Sequence, residues 1–236
     1  MQNKKSLLKR LLFLYIALFL VIATGVVHSI LGDFGRGAAD GMEMGTRIAE
    51  KLQQGNPRLI YLLGDVRILH SNGESVPIQN GAIEIEPFVT RMNLIVDEPA
   101  EGISPLGIAF RSVGGSPWIY AFALLIPLFL LAIIVLMVMI IHSLRRSIRE
   151  ERTLDRRNVW YLRLIGLLTI LTELINGLLS RAMNLRAAEL LADSGLTVDT
   201  SLDLSYTTII MGLLILFSAE VFAIGQNLSE EQKLTI

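Results

Sequence analysis

The chain has no cysteine. Disulfides, thiolate metal sites and thiol nucleophiles are thereby excluded, and any part facing an oxidising compartment is held by packing and hydrogen bonds alone. An excess of charge of one sign is also missing: 21 Lys and Arg stand against 22 Asp and Glu. Without a global basic field, no direct nucleic-acid partner is expected. Histidine is scarce, and His28, His70 and His142 fall in three different segments, too scattered for a metal cluster. There is no His-Glu-x-x-His, no Gly-x-Ser-x-Gly, no phosphate-binding loop and no serine, histidine and acid set on one side of a membrane. The reading is a protein that is not an enzyme, with no cofactor and no metal.

What the chain has in quantity is apolar residues, 52% of the total, and they are clustered. Long apolar runs cover 11–31, 118–142, 164–180 and 206–226. A helix needs about 20 such residues to cross a hydrocarbon core roughly 30 Å thick, so four spans are expected. The first run follows Lys4, Lys5, Lys9 and Arg10 as a signal peptide would, but it is about twice the length of a signal peptide's apolar region and no small-x-small site closes it. An uncleaved anchor is expected.

Positive charge orients the spans, because Lys and Arg in short segments resist translocation. The N-terminal tail has four, and the segment after the second run carries Arg145, Arg146, Arg149, Arg152, Arg156 and Arg157. Residues 182–205 contain only Arg186 and end in Asp193, Asp199 and Asp203. Both termini therefore read as cytoplasmic, in a multi-pass membrane protein. Trp118 and Tyr120, Trp160 and Tyr161, and Tyr206 mark the span edges, where amphipathic rings favour the headgroups. Pro127 interrupts the second span and removes one backbone donor.

The fold class is thus an integral membrane protein, mostly α, with a small extracytoplasmic α+β insertion between helices 1 and 2. The expected divisions are 1–31 (basic tail and first span), 32–117 (outside domain), 118–142 (second span), 143–163 (basic cytoplasmic loop), 164–181 (third span), 182–205 (outside loop), 206–226 (fourth span) and 227–236 (acidic cytoplasmic tail). Within the outside domain, Gly37, Gly41 and Gly45 recur every four residues, as a helix packing stripe or a flexible linker. From Arg58 onward the pattern changes to branched and aromatic runs: Leu59 to Leu63, Val66 to Leu69, Ala82 to Ile85 and Met92 to Val96. With Asn72-Gly73 and Asn80-Gly81 as tight turns, these predict a small, mostly antiparallel sheet. A sheet of that size buries only a modest core and needs support from the membrane helices, the second outside loop or another subunit.

The third span carries Thr169, Thr172, Glu173 and Asn176 along one helix face, and the fourth carries Glu220. At 1.5 Å per residue Glu173 lies about 16 Å deep and Glu220 about 9 Å, near enough in depth for one polar pocket. An ionisable group in hydrocarbon is a functional hypothesis by default. Two alternatives stand: a ligand, ion or proton site, as in a small oligomeric transporter or channel component, or structural glue, with Glu220 paired to an arginine such as Arg163. The basic loop touches anionic lipid and sets topology, or docks a partner through Arg156 and Arg157.

The ending from Glu220 to Ile236, in which an acidic residue and Gly225 run into a short acidic tail closing in Leu-Thr-Ile, resembles that of a family of bacterial membrane proteins, domain of unknown function 2975. Leu154-Asp155-Arg156-Arg157-Asn158-Val159 and Leu162-Arg163-Leu164-Ile165-Gly166 are similar to the family's basic entry into the third span. Asp33-Phe34 and Asp40-Gly41 match a stretch of some members more loosely. The family has no established activity. The resemblance implies a small helix-turn-helix regulator as a cytoplasmic partner, with Arg156, Arg157, Glu230 and Glu231 as docking candidates. The leading reading is a sensor or regulatory protein of the bacterial inner membrane.

Overall fold

A computed structural model describes residues 58–69, 76–77, 84–85, 89–150 and 156–234, together with scattered positions between 13 and 50. The expected first span, the stripe residue Gly37 and both Asn-Gly turns lie wholly or largely outside the described residues. The described positions between 39 and 50 are helical, and a Cβ on Gly41 or Gly45 meets no described atom within 4 Å.

The elements follow as β1 (Arg58–Leu69), β2 (Val76–Pro77), β3 (Glu84–Ile85), β4 (Val89–Pro99), α1 (Pro105–Phe110), α2 (Pro117–Glu150), α3 (Arg156–Leu190), β5 (Thr197–Val198) and α4 (Tyr206–Leu234). Three of the helices, α2, α3 and α4, are long and apolar enough to cross a membrane. The chain is therefore a membrane protein, mostly helical, with a small antiparallel sheet.

The helices run past the limits set by hydropathy. Most of the expected basic loop is helical, because α2 continues to Glu150 and α3 begins at Arg156. Basic residues are good helix formers, so a polar stretch does not end a helix without a Gly, a Pro or a competing cap. For the same reason α3 continues to Leu190 into the expected outside loop, and α4 continues to Leu234 into the acidic tail.

The chain divides into two compact units. The first comprises residues 1–43, 128–172 and 205–236; the second comprises 44–127 and 173–204.

In the second unit the sheet order is β4-β1-β5, antiparallel throughout, with β2 and β3 pairing separately. The two apolar runs expected as separate strands are one strand, β1, broken in register between Leu63 and Val66. Gly64 and Asp65 together face Asn93, so the strand carries one extra residue. The bulge has a packing reason. Leu59, Tyr61 and Leu63 point to the core before it, and Val66 and Ile68 after it, while the partner strand keeps Met92, Leu94 and Val96 in unbroken alternation. One inserted residue restores the parity that a side-chain period of two demands. Asp65 adopts a left-handed φ of 57°, which aspartate tolerates better than most residues, and its N–H donates to the Asn93 carboxamide oxygen at 3.1 Å.

Support for this sheet comes from α3 and the segment after it. Met183 and Ala187 are buried in the same core as Tyr61 and Ile108, and Leu191 and Val198 pack against its rim. Gly115, at φ +72°, lies against the Tyr61 ring, where a Cβ would come within 2.9 Å of two ring carbons.

In the first unit, α3 and α4 run antiparallel at very close range. A Cβ at Gly166 would stand 2.8 Å from the Gly212 carbonyl oxygen, and one at Gly212 3.0 Å from that of Gly166. Small residues let backbones approach where lipid gives no hydrophobic drive to associate.

Candidate functional site

Two polar constellations stand out, one in each unit. In the first unit, Arg163 lies two turns into α3 and Glu220 two turns before the apolar part of α4 ends. Arg163 Nε donates to Glu220 Oε1 at 2.7 Å and Nη2 to Oε2 at 2.9 Å. The forked guanidinium matches both carboxylate oxygens, the geometry that favours Arg over Lys. Arg163 is one turn from Gly166 on α3 and Glu220 about two turns from Gly212 on α4, so the pair lies to one side of the close crossing.

Of the other candidates on this helix, Thr169 Oγ1 donates to the Ile165 carbonyl at 2.9 Å and Thr172 Oγ1 to that of Leu168 at 2.8 Å. Both hydroxyls thus satisfy themselves on their own helix, as threonine commonly does mid-helix. Glu173 and Asn176 belong to the second unit; Glu173 is half-buried and Asn176 exposed. Arg156 and Arg157 are exposed on the first turn of α3, and Glu230 and Glu231 lie on the last turns of α4.

In the second unit the constellation centres on Arg67 of β1, whose side chain is only 10% exposed. Its Nη1 lies 3.3 Å from Asp199 and 3.1 Å from Asp203, and its Nη2 donates to the Ser201 carbonyl at 2.8 Å. The backbone joins in: Asp199 N–H donates to the Arg67 carbonyl at 2.8 Å, and Arg67 N–H donates to Asn184 Oδ1 on α3 at 3.3 Å. Arg67 Nε and Asn184 Nδ2 are buried without a partner among the described residues. Hydrogen bonds from Ser201, and then the Arg67 charge, hold the Asp199 carboxyl below the usual carboxylate range.

Nearby, Tyr61 donates its hydroxyl to Glu98 Oε1 at 3.0 Å, and Arg186 Nη2 donates to the same oxygen at 2.9 Å. Burial is the main cause that pushes the Tyr61 phenol above its ordinary value. These bonds tie β1 and β4 to the last turns of α3. Among the described residues, no group of three or more His, Asp or Glu is arranged to hold a metal ion.

Sequence reasoning singled out Glu220 and named Arg163 as a possible partner, but missed Arg67 and Asn184. A signal for Arg67 existed: it is a lone charge inside an apolar strand run, and the acidic stretch around Asp199 and Asp203 was present to answer it. Asn158 was missed as well. It is 1% exposed, and neither atom of its carboxamide has a hydrogen-bond partner among the described residues.

Chemically, both constellations are ion-paired groups that hold elements together: α3 to α4 in the first unit, and β1 to the segment after α3 in the second. Neither the curated proteins nor the solved structures compared with the chain give a match. The family described as protein of unknown function DUF2975 matches residues 85–236, well over half of the chain, and the chain belongs to that family.

Proposed function

We propose that the chain is a non-enzymatic sensor or regulatory protein of the bacterial inner membrane. In this reading it has four spans and cytoplasmic termini. Residues 32–117, joined by 182–205, form an outside domain that binds a signal, and α3 and α4 carry its state to the cytoplasmic surfaces. The docking candidates there are Arg156, Arg157, Glu230 and Glu231, and a helix-turn-helix regulator is the partner that the family resemblance implies.

One observation carries the reading. The C-terminal part of α3 supplies Met183, Ala187 and Asn184 to the core and polar centre of the sheet, and the same helix bears Arg163, gripped to α4 at Glu220. A continuous helix transmits a shift at one end along its length, because every turn is hydrogen-bonded to the next. The transport alternative draws on Glu173 and Glu220. The engagement of both Glu220 oxygens by Arg163 weighs against Glu220 as a free proton or cation ligand.

The absence of cysteine makes the test clean. Single cysteines replace Ser143 and Asn227 in the full chain, and an impermeant maleimide is applied to vesicles of each orientation. Labelling from the cytoplasmic face alone is expected. Relay is read by repeating the Asn227→Cys measurement with Arg67→Met in the outside domain, where a severalfold change in labelling rate is expected. An unchanged rate, with protease resistance showing that Arg67→Met alters the outside domain, would overturn the relay.

A further inference from the structure

The short helix α1 has a feature that its role in the sheet does not use. Ile108 is 3% exposed and sits in the sheet core with Tyr61 and Met183. Leu106 and Phe110, one turn apart on the opposite side, are 68% and 46% exposed. Both faces of this helix are therefore apolar, and the helix itself, Pro-Leu-Gly-Ile-Ala-Phe, carries no charge. A single exposed leucine needs no explanation, but contiguous apolar exposure does.

Here the exposure is contiguous with a span. The Phe110 ring meets Tyr120 on the first turn of α2 edge-on, with centroids 5.8 Å apart. Leu124 and Leu128, on the same face of α2 as Tyr120, are 49% and 57% exposed and continue the apolar surface into the span, while Trp118 and Phe122 on the other face are 75% and 47% exposed. Flanking serines also meet one terminal group at each end of α1. Ser104 Oγ accepts from the Gly107 N–H at 3.1 Å, and Ser112 Oγ donates to the Ala109 carbonyl at 2.7 Å. Each terminal group met by a flanking side chain lowers the cost of entering a poorly hydrated layer.

We propose that α1 is an interfacial foot. Leu106 and Phe110 insert at the headgroup and acyl boundary of the leaflet where α2 begins, beside Tyr120, while Ile108 fixes the sheet above them. The occupant of this apolar face is lipid, because the face continues the surface by which α2 itself meets lipid. The foot makes the sheet's core sensitive to the packing of that leaflet, since the helix that touches lipid also plugs the core. The inference needs only that α2 crosses the bilayer, and not that the chain is a sensor.

Nitroxide labels on single cysteines test it in the full chain, reconstituted in phosphatidylcholine vesicles. The positions are Leu106→Cys and Phe110→Cys, with Phe122→Cys as the lipid control and Asp193→Cys as the aqueous one. The labels at 106 and 110 are expected to collide with oxygen severalfold more, relative to a water-soluble nickel chelate, than the label at 193 does. Nickel access at 106 and 110 equal to that at 193, with 122 still in lipid, overturns the foot and leaves the membrane span standing. Shielding from both relaxants also overturns it, showing protein, such as a second copy of the chain, on this face. A water-exposed label at 122 instead overturns the span itself, and the foot with it.

Discussion

Arg163 on α3 grips Glu220 on α4 with two parallel hydrogen bonds, at 2.7 and 2.9 Å, one turn along α3 from Gly166, which meets Gly212 where the two helix backbones come into contact. The crossing sets the distance and the ion pair sets the register. Both side chains remain about half exposed to whatever surrounds the helices, 46% and 58%, so the medium decides how strongly they are coupled. In water such a pair contributes little, and in the apolar layer it is held hard.

Glu220→Gln and Arg163→Met are each expected to loosen the α3 and α4 crossing in lipid, since either leaves an unanswered polar group. The exchange Arg163→Glu with Glu220→Arg is expected to recover most of the loss. A double-mutant cycle read by unfolding in mixed micelles checks this, and additive single effects would show that the pair is not coupled.

Gly166→Ala is expected to destabilise the crossing by about 1–3 kcal/mol, because the new Cβ meets backbone and the helices must separate. Gly212→Ala is expected to cost about as much. Its Cβ would stand 2.5 Å from Cγ1 of Ile170, a β-branched side chain held to one rotamer in a helix, and 3.0 Å from the Gly166 carbonyl oxygen. The same micelle unfolding reads both, and a neutral effect of either would contradict the geometry.

Arg67→Met is expected to destabilise the second unit by about 3 kcal/mol, the lower end of the range for breaking a buried ion pair, since Asp199 and Asp203 keep some access to water. Arg67→Lys is expected to rescue only part, because a single ammonium replaces a fork that holds two carboxylates and a carbonyl. Protease resistance of residues 58–99 in vesicles reads both variants.

Acid should weaken the same cluster. The Asp199 carboxyl is lowered in the folded chain, so its contribution is full above the unfolded value, about 3.9, and is lost as pH falls through the lower folded value. Asp199→Asn is expected to flatten the stability profile below about pH 4 and to leave its shape near neutrality unchanged. A profile below pH 4 identical to wild type would remove Asp199 from the account.

Gly115→Ala is expected to cost about 2–4 kcal/mol, combining the left-handed backbone penalty with a clash against the buried Tyr61 ring. Gly195→Ala, also at positive φ but with nothing within 4 Å, isolates the backbone part alone. Comparing the two variants by thermal unfolding separates strain from packing.

Much of this protein was legible in its sequence by itself. The long apolar runs announced membrane helices, because hydrocarbon thickness sets a length that a window of sequence can meet or fail. The period-two runs from Leu59 to Val96 announced the sheet, and the ending from Glu220 to Ile236 announced the family. All of these are local properties. Helix ends were less legible, because Arg149 or Glu189 continues a helix as readily as it begins a loop. What only the tertiary structure decided is which distant groups meet. Arg67 finds Asp199 and Asp203 through a bulge that restores strand parity and a helix that supports the sheet. Arg163 finds Glu220 because two glycines bring α3 and α4 together. Pairing at such separations depends on long-range register and on how elements pack, and neither is written in the spacing of neighbouring residues.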